Sequence, residues 1–235
     1  MKILLLGSQH GNELLGDKLY AFIQHHAAHL LPHVTFRIGN PKAHARGERY
    51  IESDMNRSYD NQLDTYEARR AKSIVEDIQT QQYELVLDLH TTACKQPPCI
   101  IVEALHSEAV PFLRATSIDK IVLMRHAMVK KSLIGVCPQA ISIEIANDQV
   151  DEMLQSICDD ITRCTNAESH AIDRYQYAVD ELLLKTSITP SEAKQLQNFV
   201  LSPAGFVPIL VGENSYKKNT EYLGFKASKE TVITL

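Results

Sequence analysis

Apolar and polar positions fall along this chain in blocks whose period changes. Residues 3–6 form an unbroken apolar run that stops at Gly7, the pattern of a buried strand delivering a polar loop to a sheet edge. Leu14, Leu15, Leu19, Phe22, Ile23 and Leu30 then recur at helical spacing, which predicts a helix over 13–31 lying on one face of the sheet. Residues 34–38 read as the next strand, broken by Gly39-Asn40-Pro41. Ala68, Ala71, Ile74, Val75 and Ile78 predict a helix over 66–79 that leads into a strand ending at His90. Strands and helices in this order imply parallel pairing. The expected class is therefore α/β, with a mixed, largely parallel sheet and helices on both faces.

Further strands are expected at 99–102, 120–124 and 140–145, followed by a helical pattern over 149–185 with a break near Asn166. Beyond Thr189-Pro190 the pattern changes to short apolar strands at 199–201, 206–211, 222–225 and 232–235. This predicts a catalytic-sized unit over 1–186 and a small β-rich C-terminal unit over 187–235. Residues 39–62 are polar and show no helix or strand, which is long for a connection in a compact domain and points to function. No internal repeat or low-complexity segment is visible.

With 235 residues and 44% hydrophobic content, one sizeable core plus an appendage is the limit. The net charge of -5 comes with scattered Lys and Arg, which argues against nucleic acid and anionic membranes as partners and for a small molecule. No apolar run reaches the length of a membrane span, and the start turns polar too soon for a signal peptide, so a cytoplasmic location is expected. The five cysteines are odd in number and lack paired spacing, so reduced thiols are expected.

The candidate chemistry lies where apolar runs end. His10 and Glu13 are three residues apart in the first loop, and a turn can aim both at one point. His90 closes the run 86–90, and three ligands with an open fourth position are the arrangement of a catalytic zinc. Cys94 is close to His90, but as a fourth ligand it would close the site. His25, His26 and His29 share their spacing with no carboxylate and read as a solvated helix face. Asp88 shares a strand face with His90, either orienting that ligand or capping a nearby helix. Arg46, Arg49, Asn56 and Arg57 crowd one loop leaving the same sheet, and guanidinium groups grip carboxylates in a planar, bidentate way. Glu144 interrupts the apolar run 141–145, where a lone buried charge is costly; beside zinc-bound water it would be the general base.

Together these pieces resemble the aspartoacylase and succinylglutamate desuccinylase family, zinc hydrolases related in fold to carboxypeptidase A, and the likeness runs through most of the chain. His10-Gly11-Asn12-Glu13 resembles the family's first metal motif and Asp88-Leu89-His90-Thr91-Thr92 its second. Ile143-Glu144-Ile145 resembles the strand bearing its catalytic glutamate, and residues 49–57, RYIESDMNR, its R-Y-I-x-x-D-L-N-R block. Residues 213–218, ENSYKK, resemble its E-x-x-Y segment. The resemblance implies one zinc ion per chain on His10, Glu13 and His90, with Glu144 as general base. It implies Arg49 polarising the scissile carbonyl, Asn56 and Arg57 holding a substrate carboxylate, and Tyr216 reaching in from the C-terminal unit. Aspartoacylases carry a further substrate-binding arginine shortly before the catalytic glutamate. Here that stretch reads Lys130-Lys131-Ser132-Leu133-Ile134-Gly135, and Lys131 would stand in as a point charge without the fork.

Three readings follow. The first is a zinc-dependent amidohydrolase splitting an N-acyl amino acid into a carboxylate and an amino acid. The second, a zinc carboxypeptidase acting on peptides, shares the chemistry and differs in pocket length. The third is a non-catalytic α/β module with residues 7–11 as an anion-binding loop, which leaves His90 and Glu144 unexplained. The acyl group is not encoded in any of these motifs, and a homo-oligomer stays open.

Overall fold

The first strand alternates its side chains between two cores. Ile3 and Leu5 join one cluster, and Leu4 and Leu6 join another. The computed structural model describes residues 1–60 and 63–235; Asn61 and Gln62, the last two positions of the polar 39–62 stretch, lie outside the described residues. The strands are β1 (Ile3–Gly7), β2 (Val34–Ile38), β3 (Leu85–Thr92), β4 (Cys99–Val102) and β5 (Lys120–Met124). They continue with β6 (Ala140–Ala146), β7 (Arg174–Leu184), β8 (Val207–Ile209), β9 (Tyr222–Ala227) and β10 (Thr231–Ile233). The helices are α1 (Leu15–His26), α2 (Pro41–Arg46), α3 (Tyr66–Gln81) and α4 (Val110–Ala115), then α5 (Leu133–Val136), α6 (Val150–Thr165), α7 (Pro190–Gln195) and α8 (Asn214–Asn219).

All the strands join one mixed sheet in the order β2-β1-β3-β6-β4-β5-β7-β9-β8, with β10 added to β7. Pairing is parallel from β2 through β1 and β3 to β6, and again from β4 through β5 to β7. It is antiparallel between β4 and β6 and among the C-terminal strands. On one face, Leu19 and Ile23 of α1, Phe112 of α4 and Ile157 and Ile161 of α6 pack on the sheet. On the other, Ala71, Ile74 and Ile78 of α3 do so, and Val207 and Phe225, from the sheet's own β8 and β9, join that cluster. This is the expected α/β class. No helix among the described residues is long and apolar enough to cross a membrane.

Three expectations need correction. Residues 39–62 contain α2: Asn40 accepts a hydrogen bond from the Ala43 amide at 3.0 Å, Pro41 opens the first turn, and Gly47, at φ +63°, closes the last. The Gly39-Asn40-Pro41 cluster is therefore a helix start as well as a strand end. The helical pattern over 149–185 stops at Thr165, and residues 174–184 form β7, held between β5 and β9. Its Glu181-Leu182-Leu183-Leu184 end has helical propensity, which the ladder to β9 overrides. Residues 199–201 form no strand, and Phe199 sits at φ +64°.

Candidate active site

The loop after β1 is shaped by two local features. Ser8 adopts a left-handed conformation, φ +52°, rare for a residue with a side chain, and its buried hydroxyl lies 3.0 Å from the Glu13 carbonyl and 2.8 Å from an Asp17 carboxylate oxygen. Gly11 passes so close to α2 that a Cβ there would lie 2.2 Å from backbone atoms of Ala43 and His44. The Glu13 amide then donates to the His10 carbonyl at 2.9 Å, and this turn brings both side chains to one side. On β3, His90 and Asp88 share a face, and both are buried.

His10, Glu13 and His90 meet. One ligand atom from each lies within 4.8 Å of the others, the one such group among the described residues. Nδ1 of His10 is 2.8 Å from Glu13 Oε1, and Nδ1 of His90 is 2.9 Å from Glu13 Oε2. Two imidazole nitrogens and a carboxylate are a donor set zinc accepts. The opposite ring nitrogens are each set by a carboxylate: His10 Nε2 is 3.1 Å from Asp54 Oδ1, and His90 Nε2 is 2.9 Å from Asp88 Oδ2. Such outer carboxylates fix the orientation of ligand histidines, so the residues fit the ion. Behind His90 the chain of contacts continues. Ser142 donates to Asp88 Oδ2 at 2.9 Å, Gln9 donates to Asp88 Oδ1, and Tyr59 donates to Gln9 at 2.6 Å. Asp88 therefore orients His90 rather than capping a helix.

Burial by itself would depress both imidazoles. The surrounding carboxylates outweigh it, so His10 is raised by Glu13 and Asp54, and His90 well raised by Asp88 and Glu13. Glu13 is held below the usual carboxylate range despite its burial, because both histidines favour its ionised form. Arg49 reaches Glu13 Oε1 at 3.1 Å and Asp54 Oδ2 at 3.5 Å.

Glu144 lies on β6 directly opposite His90 of β3 in the parallel register. Burial pushes its carboxyl up to about 8, with Glu13 and Glu213 adding to the rise and His90 opposing it. A cavity of about 80 Å³ lies here, and Arg49, Asn56, Arg57, Glu144 and Tyr216 line it together with the three metal candidates. The buried Oδ1 of Asn56 has no hydrogen-bond partner among the described residues.

Residues 1–159 match the succinylglutamate desuccinylase/aspartoacylase catalytic domain. The chain belongs to that family. A probable aspartoacylase from Prochlorococcus marinus (strain MIT 9515) is 34% identical over 113 residues, which cover 43% of this chain and 37% of that protein. The chain thus spans well under half the length of such relatives. A crystal structure of the succinylglutamate desuccinylase from Chromobacterium violaceum superposes with a TM-score of 0.74 at 17% identity, covering all of this chain and 85% of that one. A metallo-carboxypeptidase from Burkholderia cenocepacia shares the fold at a TM-score of 0.55 and 11% identity, over 70% of this chain and 57% of that one.

Within this family's domain, the stretch before Glu144 departs from expectation. Lys131 is exposed and does not line the cavity; its backbone carbonyl, accepting from the Tyr59 amide at 3.0 Å, is what it contributes there. Cys94 is buried outside the metal group, with its thiol pushed up to about 12 by burial. His25, His26 and His29 are exposed. Four participants carried no role in the sequence reading. Asp54 was visible only as the acid of the D-x-N-R spacing and Glu213 as the acid three before Tyr216. Gln9 and Tyr59 had no signal, because their contacts join segments 50 residues apart.

Proposed function

We propose that this protein hydrolyses the amide bond of an N-acyl amino acid, with one zinc ion held by His10, Glu13 and His90. The observation that carries this reading is the convergence of that donor set, Glu144 and two guanidinium groups on a single cavity. A zinc ion in this position would supply Lewis acidity, polarising the scissile carbonyl and acidifying nearby water. Glu144 removes a proton from the attacking water, whose oxygen bonds to the acyl carbon. Arg49 donates to the developing oxyanion. As the C–N bond breaks, Glu144 returns its proton to the leaving nitrogen and the second water proton follows to the amine, so one water is consumed and a carboxylate and an ammonium group are released. Arg57 holds the α-carboxylate and Asn56 a neighbouring polar group, while Tyr216 closes the cavity from the C-terminal unit. The division into a catalytic unit over 1–186 and a rim-forming unit over 187–235 is supported by Glu213 and Tyr216, which reach the cavity from the latter. Unpaired, buried cysteines fit a cytoplasmic setting.

Glu144→Gln tests the reading. The variant should bind about one zinc per chain as the wild type does, yet lose on the order of 10² to 10⁴ in turnover of N-acyl amino acids. Near-normal turnover would remove Glu144 as the base.

A further inference from the structure

The inner cavity is chemically one-sided. One part holds the metal candidates, Glu144 and Glu213, and another is walled by Ile101, Met124, Met128, Ile134 and Phe225, where the hydroxyls of Ser132 and Ser142 already donate to Val129 and Asp88. The guanidinium cations on it are Arg49 and Arg57. Arg49 reaches Glu13 and Asp54 beside the metal candidates, where it serves the scissile carbonyl. That leaves Arg57, whose Nη1 donates to the Asn56 carbonyl at 2.7 Å, for a substrate carboxylate. The bases on the adjoining turn, Arg125, Lys130 and Lys131, are exposed and line no part of this cavity. Among the described residues, a second substrate carboxylate in the inner cavity would therefore meet hydrocarbon, or the carboxyls of Glu144 and Glu213, with no further cation on the lining to pair with.

A second basin adjoins the first. It has a volume of about 520 Å³, shares Glu13, Arg49, Thr91 and Glu213 with the inner cavity, and is otherwise polar, with Asn12, Asn147, Ser215 and Lys217 on its walls. Arg57 lines the inner cavity alone. With the α-carboxylate on Arg57 and the amide beside Glu144, the polar outer basin is open to the acyl group across the shared residues Glu13, Arg49, Thr91 and Glu213.

We propose that the site selects N-acyl derivatives of amino acids with a compact apolar side chain, which enters the inner cavity beside Arg57 while the acyl group lies in the polar outer basin. This rests on the deacylase reading above. It separates the two halves of the substrate: discrimination lies in the amino acid, and the acyl group is loosely read.

Four substrates test it as a square: N-acetyl- and N-succinyl-leucine, N-acetyl-aspartate and N-succinyl-glutamate, each with the zinc-loaded enzyme. Replacing the apolar by the acidic amino acid should lower kcat/KM by about a hundredfold or more, since an uncompensated polar group discriminates far more strongly than a methylene. Changing acetyl to succinyl on leucine should cost less than about tenfold. Equal or better hydrolysis of the acidic pair overturns the proposal, as does an acyl effect larger than the side-chain effect. Calorimetric titration of zinc-loaded Glu144→Gln with N-acetyl-leucine and N-acetyl-aspartate reads the same preference without turnover. Tighter binding of the leucine compound supports the proposal even if the wild type hydrolyses neither, an outcome that would sink the deacylase reading alone. Equal or tighter binding of the aspartate compound, or binding of neither, refutes it.

Discussion

Glu67 on α3 is fully buried and touches no metal candidate, yet it organises the loop that carries the guanidinium groups. Its Oε1 accepts from Asn40 Nδ2 at 3.1 Å and the Ile51 amide at 2.7 Å, and its Oε2 from the amides of Glu52 at 3.2 Å and Ser53 at 3.1 Å. Glu67→Gln keeps the shape but turns one oxygen into an NH₂ that faces donors, so two of the four contacts are lost. Hydrogen bonds to a charged group contribute about 1.5 to 3 kcal/mol each, and with solvent reaching the loosened loop the net loss should be about 2 to 4 kcal/mol. For a chain of this size that lowers Tm by roughly 5 to 15 °C. The neighbouring turn of Asp54, Asn56 and Arg57 should lose definition, so KM for an N-acyl amino acid should rise more than kcat falls. Burial opposes ionisation of Glu67, but its donors overcome it and hold the carboxyl below its usual value. A group depressed in the folded state stabilises above its unfolded pKa, about 4.3, and loses that contribution as pH falls through the folded value. The gap between wild type and variant should therefore be full at neutral pH and close below about pH 4. Thermal denaturation at pH 7 and pH 3.5 with steady-state kinetics checks this, and a Tm within about 1 °C of wild type at pH 7 would refute it.

Other outcomes follow from the metal group and from Arg57. His90→Ala removes one of three ligands and should abolish stoichiometric zinc; metal analysis at wild-type level would overturn the ligand assignment. Because His10 and His90 are raised in the metal-free protein, zinc must displace protons from them, so its affinity should climb with pH. Calorimetry at pH 6.5 in two buffers of different ionisation enthalpy reads the release, and identical heats would contradict it. Arg57→Lys preserves charge but not the fork, so kcat/KM for N-acyl amino acids should fall about ten- to a hundredfold, with much less change for the corresponding amides. An equal loss on both would reassign Arg57 to a structural role.

What could be read before folding was local. His10, Glu13, His90 and Glu144 sit at or inside apolar runs, where a polar residue interrupts a strand pattern that needs no partner to be recognised, and the parallel order of β1, β2 and β3 follows from helices between them. What could not be read depends on who lies beside whom. Residues 174–184 form a strand because β5 and β9 flank them, and Tyr59 meets Gln9 across a loop whose path α2 and the Glu67 contacts shape. Lys131 shows the limit of carrying a charge over by position: the turn of residues 127–131 directs Val129 into the core and leaves Lys131 in solvent.

Local rules are broken around the same site. Ser8 takes a left-handed backbone one residue after β1, Gly11 is pressed against α2, and Glu144 keeps a carboxyl in the sheet at the cost of a high pKa. Each departure serves a position that an ordinary loop or strand would not supply. The Ser8 turn starts the loop that aims His10 and Glu13 inward, Gly11 lets the loop carrying Arg49 approach, and Glu144 faces His90 across a single ladder. Strain and unfavourable burial coincide at this end of the sheet, as a catalytic centre built there would require, since the rest of the fold must over-determine these residues for them to persist.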